Sequence, residues 1–309
     1  MPRSLLALSV TACAALFASG GLDARSTPEA PLQERSNTVF VTALDENGGP
    51  VVDLDATDFT IKEDGKDRDV LRAELSRAQM QIAIIVDDNG TGIFRSGLVS
   101  FLQQLQGRAV ISLSSVVGQT HRLVDYTTDV QKLTTAIIGL SARPGTPDGG
   151  QLLEGIFQAA RELEKREAAR PVIVAVTVGG EEHSTLPAHH VLDQIAKSGS
   201  TMYVISVASS ALRSTRLIDK PSALLDENLN LSEVLGEGPK QSGGSREVIV
   251  AAPGITQGLQ RIAAELKNQY AVDYSRPAKA KSGKSTERLN VSLKRRGVML
   301  RAPSKVPGR

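Results

Sequence analysis

Four mainly aliphatic runs, residues 81–86, 109–116, 171–177 and 201–207, constrain the fold of this chain more than any other feature. They are too continuous for strands with one wet face and read as strands covered on both sides. Amphipathic stretches lie between them. Residues 93–106 carry Phe94, Leu98, Phe101, Leu102 and Leu105 at helical spacing. Further helices are expected over 130–140, capped by Asp129, and over 151–167 and 187–198. Residues 120–126 are polar and suit an edge strand. Buried strands alternating with amphipathic helices specify an α/β fold, a doubly wound and mostly parallel sheet of about six strands. The aliphatic bias fits, since the chain has no Trp, six Phe and four Tyr.

The flanks have a different texture. Residues 38–44 read as a strand, 45–49 as a turn, and Val51-Val52 and 59–63 as short strands closing on Asp64-Gly65. Toward the other end come a strand over 247–251, a helix over 255–268 and a last strand of the parallel series over 269–274. Residues 289–293 and 298–300 suggest a terminal hairpin turning at Arg296-Gly297. Each flank is too small to fold alone, so the two are expected to join as one small β subdomain. Residues 209–246, with a short helix near 229–235 and a Gly-rich stretch over 238–245, read as a mobile excursion or functional loop. The resulting division is a signal peptide over 1–24, a linker over 25–35, an N-terminal β segment over 36–78, the α/β domain over 79–275, and a basic linker and hairpin over 276–309.

The signal peptide rests on Met1-Pro2-Arg3, an apolar stretch from Leu5 to Phe17 and the small residues Ala18-Ser19-Gly20. That stretch is too short to span a bilayer, so the expected location is periplasmic or secreted. Cys13 is the chain's one cysteine, which excludes disulfide and thiolate chemistry downstream of it. Val10-Thr11-Ala12-Cys13 also resembles a lipobox, making a lipoprotein the alternative. Net charge is +2 overall, yet residues 276–309 hold eleven basic residues and one acid. Such a tail could meet an anionic envelope surface, a polyanion or the acidic body of the protein itself.

The order of features resembles the bacterial exported von Willebrand factor A-related family. Asp58-Phe59 and Glu63-Asp64-Gly65 in the small β segment carry part of this likeness, as does a first buried strand ending in acid and glycine. The rest comes from Gln269-Tyr270-Ala271-Val272-Asp273-Tyr274 and the basic C-terminal strands. The resemblance implies a metal-ion-dependent adhesion site of form Asp-x-Ser-x-Ser, with a Thr from a second loop and an Asp after the fourth strand. Oxygen ligands of that kind suit a hard cation, Mg2+ or Ca2+. In this sequence Asp87 matches the first Asp, Asn89 and Thr91 stand for the two Ser, and Gln151 stands for the Thr, with Thr146 nearby. Where Thr-Asp-Gly is expected the chain reads Thr177-Val178-Gly179. The site is therefore degenerate, with Asp88, Asp148 and Glu181-Glu182 as the acids that could compensate.

Rival chemistries find less. Asp87-Asp88-Asn89-Gly90-Thr91 also resembles the Asp-x-Asp-Gly-Thr opening of haloacid-dehalogenase-like phosphatases, with Asp87 as nucleophile. Asn89 cannot supply the proton that mechanism asks of its second acid. His183, His189 and His190 complete no metal spacing, adjacent helical His189 and His190 being expected to point apart. Neither a Gly-x-Ser-x-Gly elbow nor a phosphate-loop Lys is present. The basic tail lacks interleaved aromatics, so nucleic acid is not an expected partner. The expectation is a non-enzymatic protein-interaction or scaffold module. It would bind through Asp87, Asn89, Thr91, Gln151 and the 179–185 loop with weak or no metal dependence. The alternatives are the phosphatase and an envelope-associated structural protein acting through residues 276–309.

Overall fold

The computed structural model describes residues 35–140, 150–208, 222–276 and 288–307. Residues 1–34, which hold the expected signal peptide with Cys13 and most of the expected first linker, lie outside the described residues, as do Thr146, Asp148, Gly149 and residues 277–287. The region before the parallel series forms β1 (Arg35–Leu44), β2 (Phe59–Glu63), β3 (Lys66–Arg68) and β4 (Val70–Leu75). Val51-Val52 is no strand; Val51 N donates to Ala43 O at 2.9 Å beside a single bridge between Leu44 and Pro50. β3 and β4 escape a reading by hydrophobicity because they are short, charged and largely solvent-facing.

The series itself runs β5 (Met80–Asp87), α1 (Arg95–Leu105), β6 (Ala109–Val117), β7 (Gln119–Thr127), α2 (Val130–Ile138), α3 (Leu152–Lys165), β8 (Arg170–Thr177), α4 (Ala188–Ser198), β9 (Thr201–Val207), α5 (Ser222–Ser242), β10 (Ser245–Ile249) and α6 (Ala252–Lys267). Its sheet has the order β10-β9-β8-β5-β6-β7. Every pairing is parallel except β6 with β7, which lies antiparallel at the edge. β8 is buried along its whole length, the reason its sequence is a continuous apolar run. One face of the sheet packs Phe94, just before α1, with Leu98 and Phe101 of α1, Leu133 of α2 and Leu259 and Ile262 of α6. The other face packs Leu153 and Ile156 of α3, Val191 and Ile195 of α4, and Val234 and Leu235 of α5. This is the expected doubly wound α/β architecture.

The remaining strands are β11 (Tyr270–Arg276), β12 (Leu289–Leu293) and β13 (Met299–Arg301). Both flanks do combine. One antiparallel sheet has the order β13-β1-β11-β4 and a second the order β12-β2-β3. They enclose a shared core of Val39, Val41, Ile61, Val272 and Tyr274. There Phe59 and Tyr270 have ring centroids 5.7 Å apart.

Two expectations fail here. Residues 269–274 do not close the parallel series; β11 alternates buried and half-buried positions and is inserted between β1 and β4. Nor do β12 and β13 form a hairpin with one another, since β12 pairs with β2 and β13 with β1. Each finds a better partner in the N-terminal flank than across its own turn.

The third correction concerns residues 209–246, much of which is the 21-residue helix α5. Its Gly and Pro content suggests flexibility, but the glycines make room for close packing. A Cβ on Gly238 would sit 2.7 Å from Met202 Sδ, and one on Gly244, just past the helix, 1.9 Å from Met202 O. Pro239 is carried inside the helix, where its carbonyl accepts from Gly244 N at 2.9 Å. No helix among the described residues is long and apolar enough to cross a membrane.

Candidate functional site

The C-terminal ends of β5 and β8 lie side by side at the crest of the sheet, where open α/β folds place their ligands. Their register sets Asp87 opposite Thr177. Thr177 Oγ1 donates to Asp87 Oδ2 at 2.6 Å and accepts from Gly179 N at 2.8 Å. Val178 N donates to Asp87 O at 2.9 Å. Burial pushes the Asp87 carboxyl up to about 6; the Thr177 hydroxyl opposes the rise and the charge of Asp88 adds to it.

After Asp87 the chain must turn sharply toward α1. Asn89, Gly90 and Gly92 all take positive φ, a conformation open to Asn and Gly at little cost. Asp88 organises this turn, its Oδ1 accepting from Gly90 N at 2.9 Å and its Oδ2 from Gly92 N at 2.8 Å. The Thr91 hydroxyl accepts from Ile93 N at 3.3 Å. Asp88 and Thr91 thus spend their oxygens on their own loop.

Gly150 connects three loops. It bridges to Gly118 and to Glu182, its N–H donates to Glu181 O at 2.9 Å, and its carbonyl accepts from His183 N at 2.8 Å. The buried Glu182 then serves the start of α3, its Oε2 accepting from Leu152 N at 3.1 Å and its Oε1 from Ser184 N at 3.0 Å. Burial nevertheless drives this carboxyl up to about 8, against the backbone donors at Ser184, Leu152 and Leu153 and with a smaller push from Asp87. Helix α5 ties the same loop down: Asn230 Oδ1 accepts from Ala188 N at 3.1 Å, and Leu231 reaches the site.

Asp87, Asn89, Gly150, Gly179–Glu182 and Leu231 line a pocket of about 10 Å³, roughly the room one water molecule needs. Of the four residues matched to the adhesion site, Asp87 and Asn89 meet there. Thr91 and Gln151 are not among its lining; Gln151 instead caps nothing with its side chain and accepts at its carbonyl from Thr120 Oγ1 at 3.0 Å. Val178, at the position of the second acid, packs against the apolar core. The sequence reading gave no role to Thr177 or to Leu231, and it named Glu182 without the cap it supplies. Thr177 was within reach of it, because two in-register parallel strands that both end in a polar residue must present those residues as neighbours.

Hard cations demand several convergent oxygens, and among the described residues Asp88 and Thr91 are committed to their own loop and Glu182 to the start of α3. Among the described residues no group of three or more His, Cys, Asp or Glu is placed to hold a metal ion. His189 and His190 do not point apart as expected; their ring centroids are 4.3 Å from one another, since both exposed rings fold to the same side.

Among the described residues, four basic side chains of the C-terminal region bind the protein itself. Arg295 pairs with Asp53 at 2.7 Å, Lys305 with Asp193 at 3.1 Å, and Arg301 with Glu265 at 2.8 Å. Lys294 Nζ donates to Thr57 O at 2.8 Å. Of the surfaces such a tail could meet, the acidic body is the one these four residues engage.

No sequence profile of a protein family matches the chain, and no curated protein does. Solved structures resemble it at low identity. The conserved hypothetical protein BatB from Bacteroides thetaiotaomicron aligns over 60% of this chain and 99% of its own, with 14% identity and a TM-score of 0.43. An aerotolerance-related membrane protein from Bacteroides fragilis aligns over 61% and 98%, with 16% identity and a TM-score of 0.43. A von Willebrand factor type A protein from Catenulispora acidiphila aligns over 89% and 74%, with 10% identity and a TM-score of 0.43. The six-stranded order with one antiparallel edge, helices on both faces and an acidic turn ending the first parallel strand make this chain a doubly wound α/β domain carrying a two-sheet β flank.

Proposed function

We propose that the protein is an extracytoplasmic interaction module that binds protein partners through the crest loops around Asp87, Asn89 and residues 179–185, with little or no dependence on Mg2+ or Ca2+. One observation carries this reading: the crest gathers polar groups from three loops around a pocket of about 10 Å³. A pocket that size accommodates a water and no organic substrate, whereas enzymes enclose most of their substrates. A phosphatase role for Asp87 gains nothing from the geometry. Its Oδ2 is held by Thr177, and Asn89 beside it has no proton to give.

Affinity capture from envelope extracts tests the proposal, using the chain from residue 25 onward with magnesium or with chelator. Retention of the same partners in both buffers, and its loss in Asp87→Ala, is the expected result. Equal retention by wild type, Asp87→Ala and Val178→Asp would remove the crest from consideration. Phosphate-ester turnover abolished by Asp87→Asn would replace the proposal with an enzyme.

A further inference from the structure

β10 is an outer strand of the six-stranded sheet, bonded to β9 on one side, and among the described residues no strand lies on its other side. Ile249 O accepts from Ala208 N at 2.8 Å, so residues 245, 247 and 249 turn their backbone groups toward β9. Alternation along the strand then turns the N–H and C=O of Arg246, Val248 and Val250 outward. Such a row of unmet donors and acceptors is a template on which another strand can add.

Proteins ordinarily blunt such edges with charge, bulges or proline. β7, at the opposite edge, follows that rule: its register with β6 shifts at two points, and it carries His121, Arg122 and Asp125. β10 does not. Its register with β9 is unbroken, and Val248 and Val250 are 58% and 83% exposed. Arg246, the one charged residue at the three outward positions, folds back over β9, its Nε donating to Ser206 Oγ at 3.3 Å. Glu247 is held by Arg261, whose Nε donates to its Oε1 at 3.2 Å. Exposed Ala251, Ala252 and Pro253 continue the apolar surface past the strand, and residues 248–260 contain no charged side chain. A contiguous apolar patch beside an open strand edge marks an association surface.

The edge is complementary to itself. A two-fold pair of β10 strands must set outward-facing residues against one another, which leaves few registers. Centring the pair on Arg246 or on Glu247 would oppose like charges, which is destabilising. Centring it on Val248 sets that residue against its own copy and Arg246 against Val250, with backbone hydrogen bonds at each position. We infer that β10 is the interface of a homodimer, formed by antiparallel pairing of two copies of this chain about Val248. The two six-stranded sheets become continuous, and because the copies run antiparallel their Asp87 crests face opposite ways. β9 and β8 separate β10 from β5, so the pairing leaves the crest free and does not depend on what the crest binds.

Sedimentation velocity of the full chain between about 1 and 100 µM tests this, with dimer expected at the upper end. Val248→Lys and Val248→Glu should each weaken association about tenfold or more, because each opposes like charges at the two-fold. Mixing the two variants should restore pairing, since opposite charges then meet. Val248 is exposed, so at the lower concentration both variants should keep the wild-type thermal midpoint. Hydrogen exchange should show the amides of residues 246, 248 and 250 protected at the upper concentration alone. A wild type that stays monomeric, or a dimer that Val248→Lys leaves intact, would overturn the proposal. So would a dimer in which those three amides exchange as fast as in the monomer. Failure of the mixture to pair would overturn the register centred on Val248.

Discussion

Arg170 of β8 directs two donors at a single oxygen of Gln269, Nε at 3.3 Å and Nη2 at 2.8 Å from Oε1. Both residues are essentially without solvent exposure. The guanidinium also donates to Leu266 O and lies 5.5 Å from the centre of the Phe40 ring. The amide of Gln269 then donates to Thr42 Oγ1 and Tyr203 Oη, each at 3.2 Å. One buried amide thus joins β8 and β9 of the parallel sheet to β1 of the flanking sheet. Burial lowers the Arg170 pKa to about 10, with the charge of Arg108 acting in the same direction, so the group stays charged at neutral pH.

Replacing Gln269 with Leu leaves that charge with one carbonyl and a ring. Urea unfolding should register a loss of about 3 kcal/mol, the scale of removing a partner from a buried charged group. The fragment 79–275, which lacks Phe40, Thr42 and both strands that pair with β11, should unfold at lower urea than the intact chain. Equal midpoints would mean that the flank is an independent attachment.

Asp87 and Glu182 set a pH dependence. Both carboxyls are raised by burial, from 3.8 to about 6 and from 4.5 to about 8. Across those windows the folded chain keeps a proton that the unfolded chain has released. Stability from these groups is therefore complete below about pH 4 and falls as pH rises toward 8, by at most about 1.4 kcal/mol per pH unit for each group. Urea midpoints taken between about pH 5 and 8 should decline, with the upper part of the slope flattened in Glu182→Gln and the lower part in Asp87→Asn. A midpoint that rises over that range would contradict the burial of both groups.

Gly150→Ala should damage the crest through packing alone. The added methyl would stand 2.4 Å from Val116 Cγ1, an overlap that neighbouring groups relieve only by shifting, at about 1–3 kcal/mol. Because Gly150 also joins the 118 and 181–183 loops, both the thermal midpoint and partner capture should drop. Retained capture at a lowered midpoint would show that the loop junction is dispensable for binding.

Arg301→Ala should destabilise the protein by about 2–4 kcal/mol, since it strips the partner from a buried carboxylate. Arg301 Nη1 reaches both oxygens of Glu265, at 2.9 and 2.8 Å, and Glu265 is nearly inaccessible. Adding Glu265→Leu should recover much of the loss. Unfolding of both variants in urea separates this account from one in which Arg301 acts only at an anionic surface, where neither change would alter stability.

Local pattern in the sequence was enough to determine the doubly wound domain. Aliphatic runs such as 171–177 can be satisfied only by burial on both sides, and the helical spacing of Phe94, Leu98 and Phe101 fixes which face of α1 meets the sheet. The turn after Asp87 was legible for the same reason, because Asn and Gly mark positive φ locally. Pairing was decided by tertiary structure alone. β11, β12 and β13 carry little that names a partner, and their edges were claimed by β1, β2 and β4 from the far end of the chain. The identity of α5 was likewise hidden, since Gly238 weakens a helix in isolation and becomes useful only where Met202 lies against it. At the crest, the sequence could place Asp87 and Asn89, but burial raised Asp87 and Glu182 and brought Glu182 to the start of α3. Burial depends on what the rest of the chain packs around a residue, which no single stretch of sequence contains.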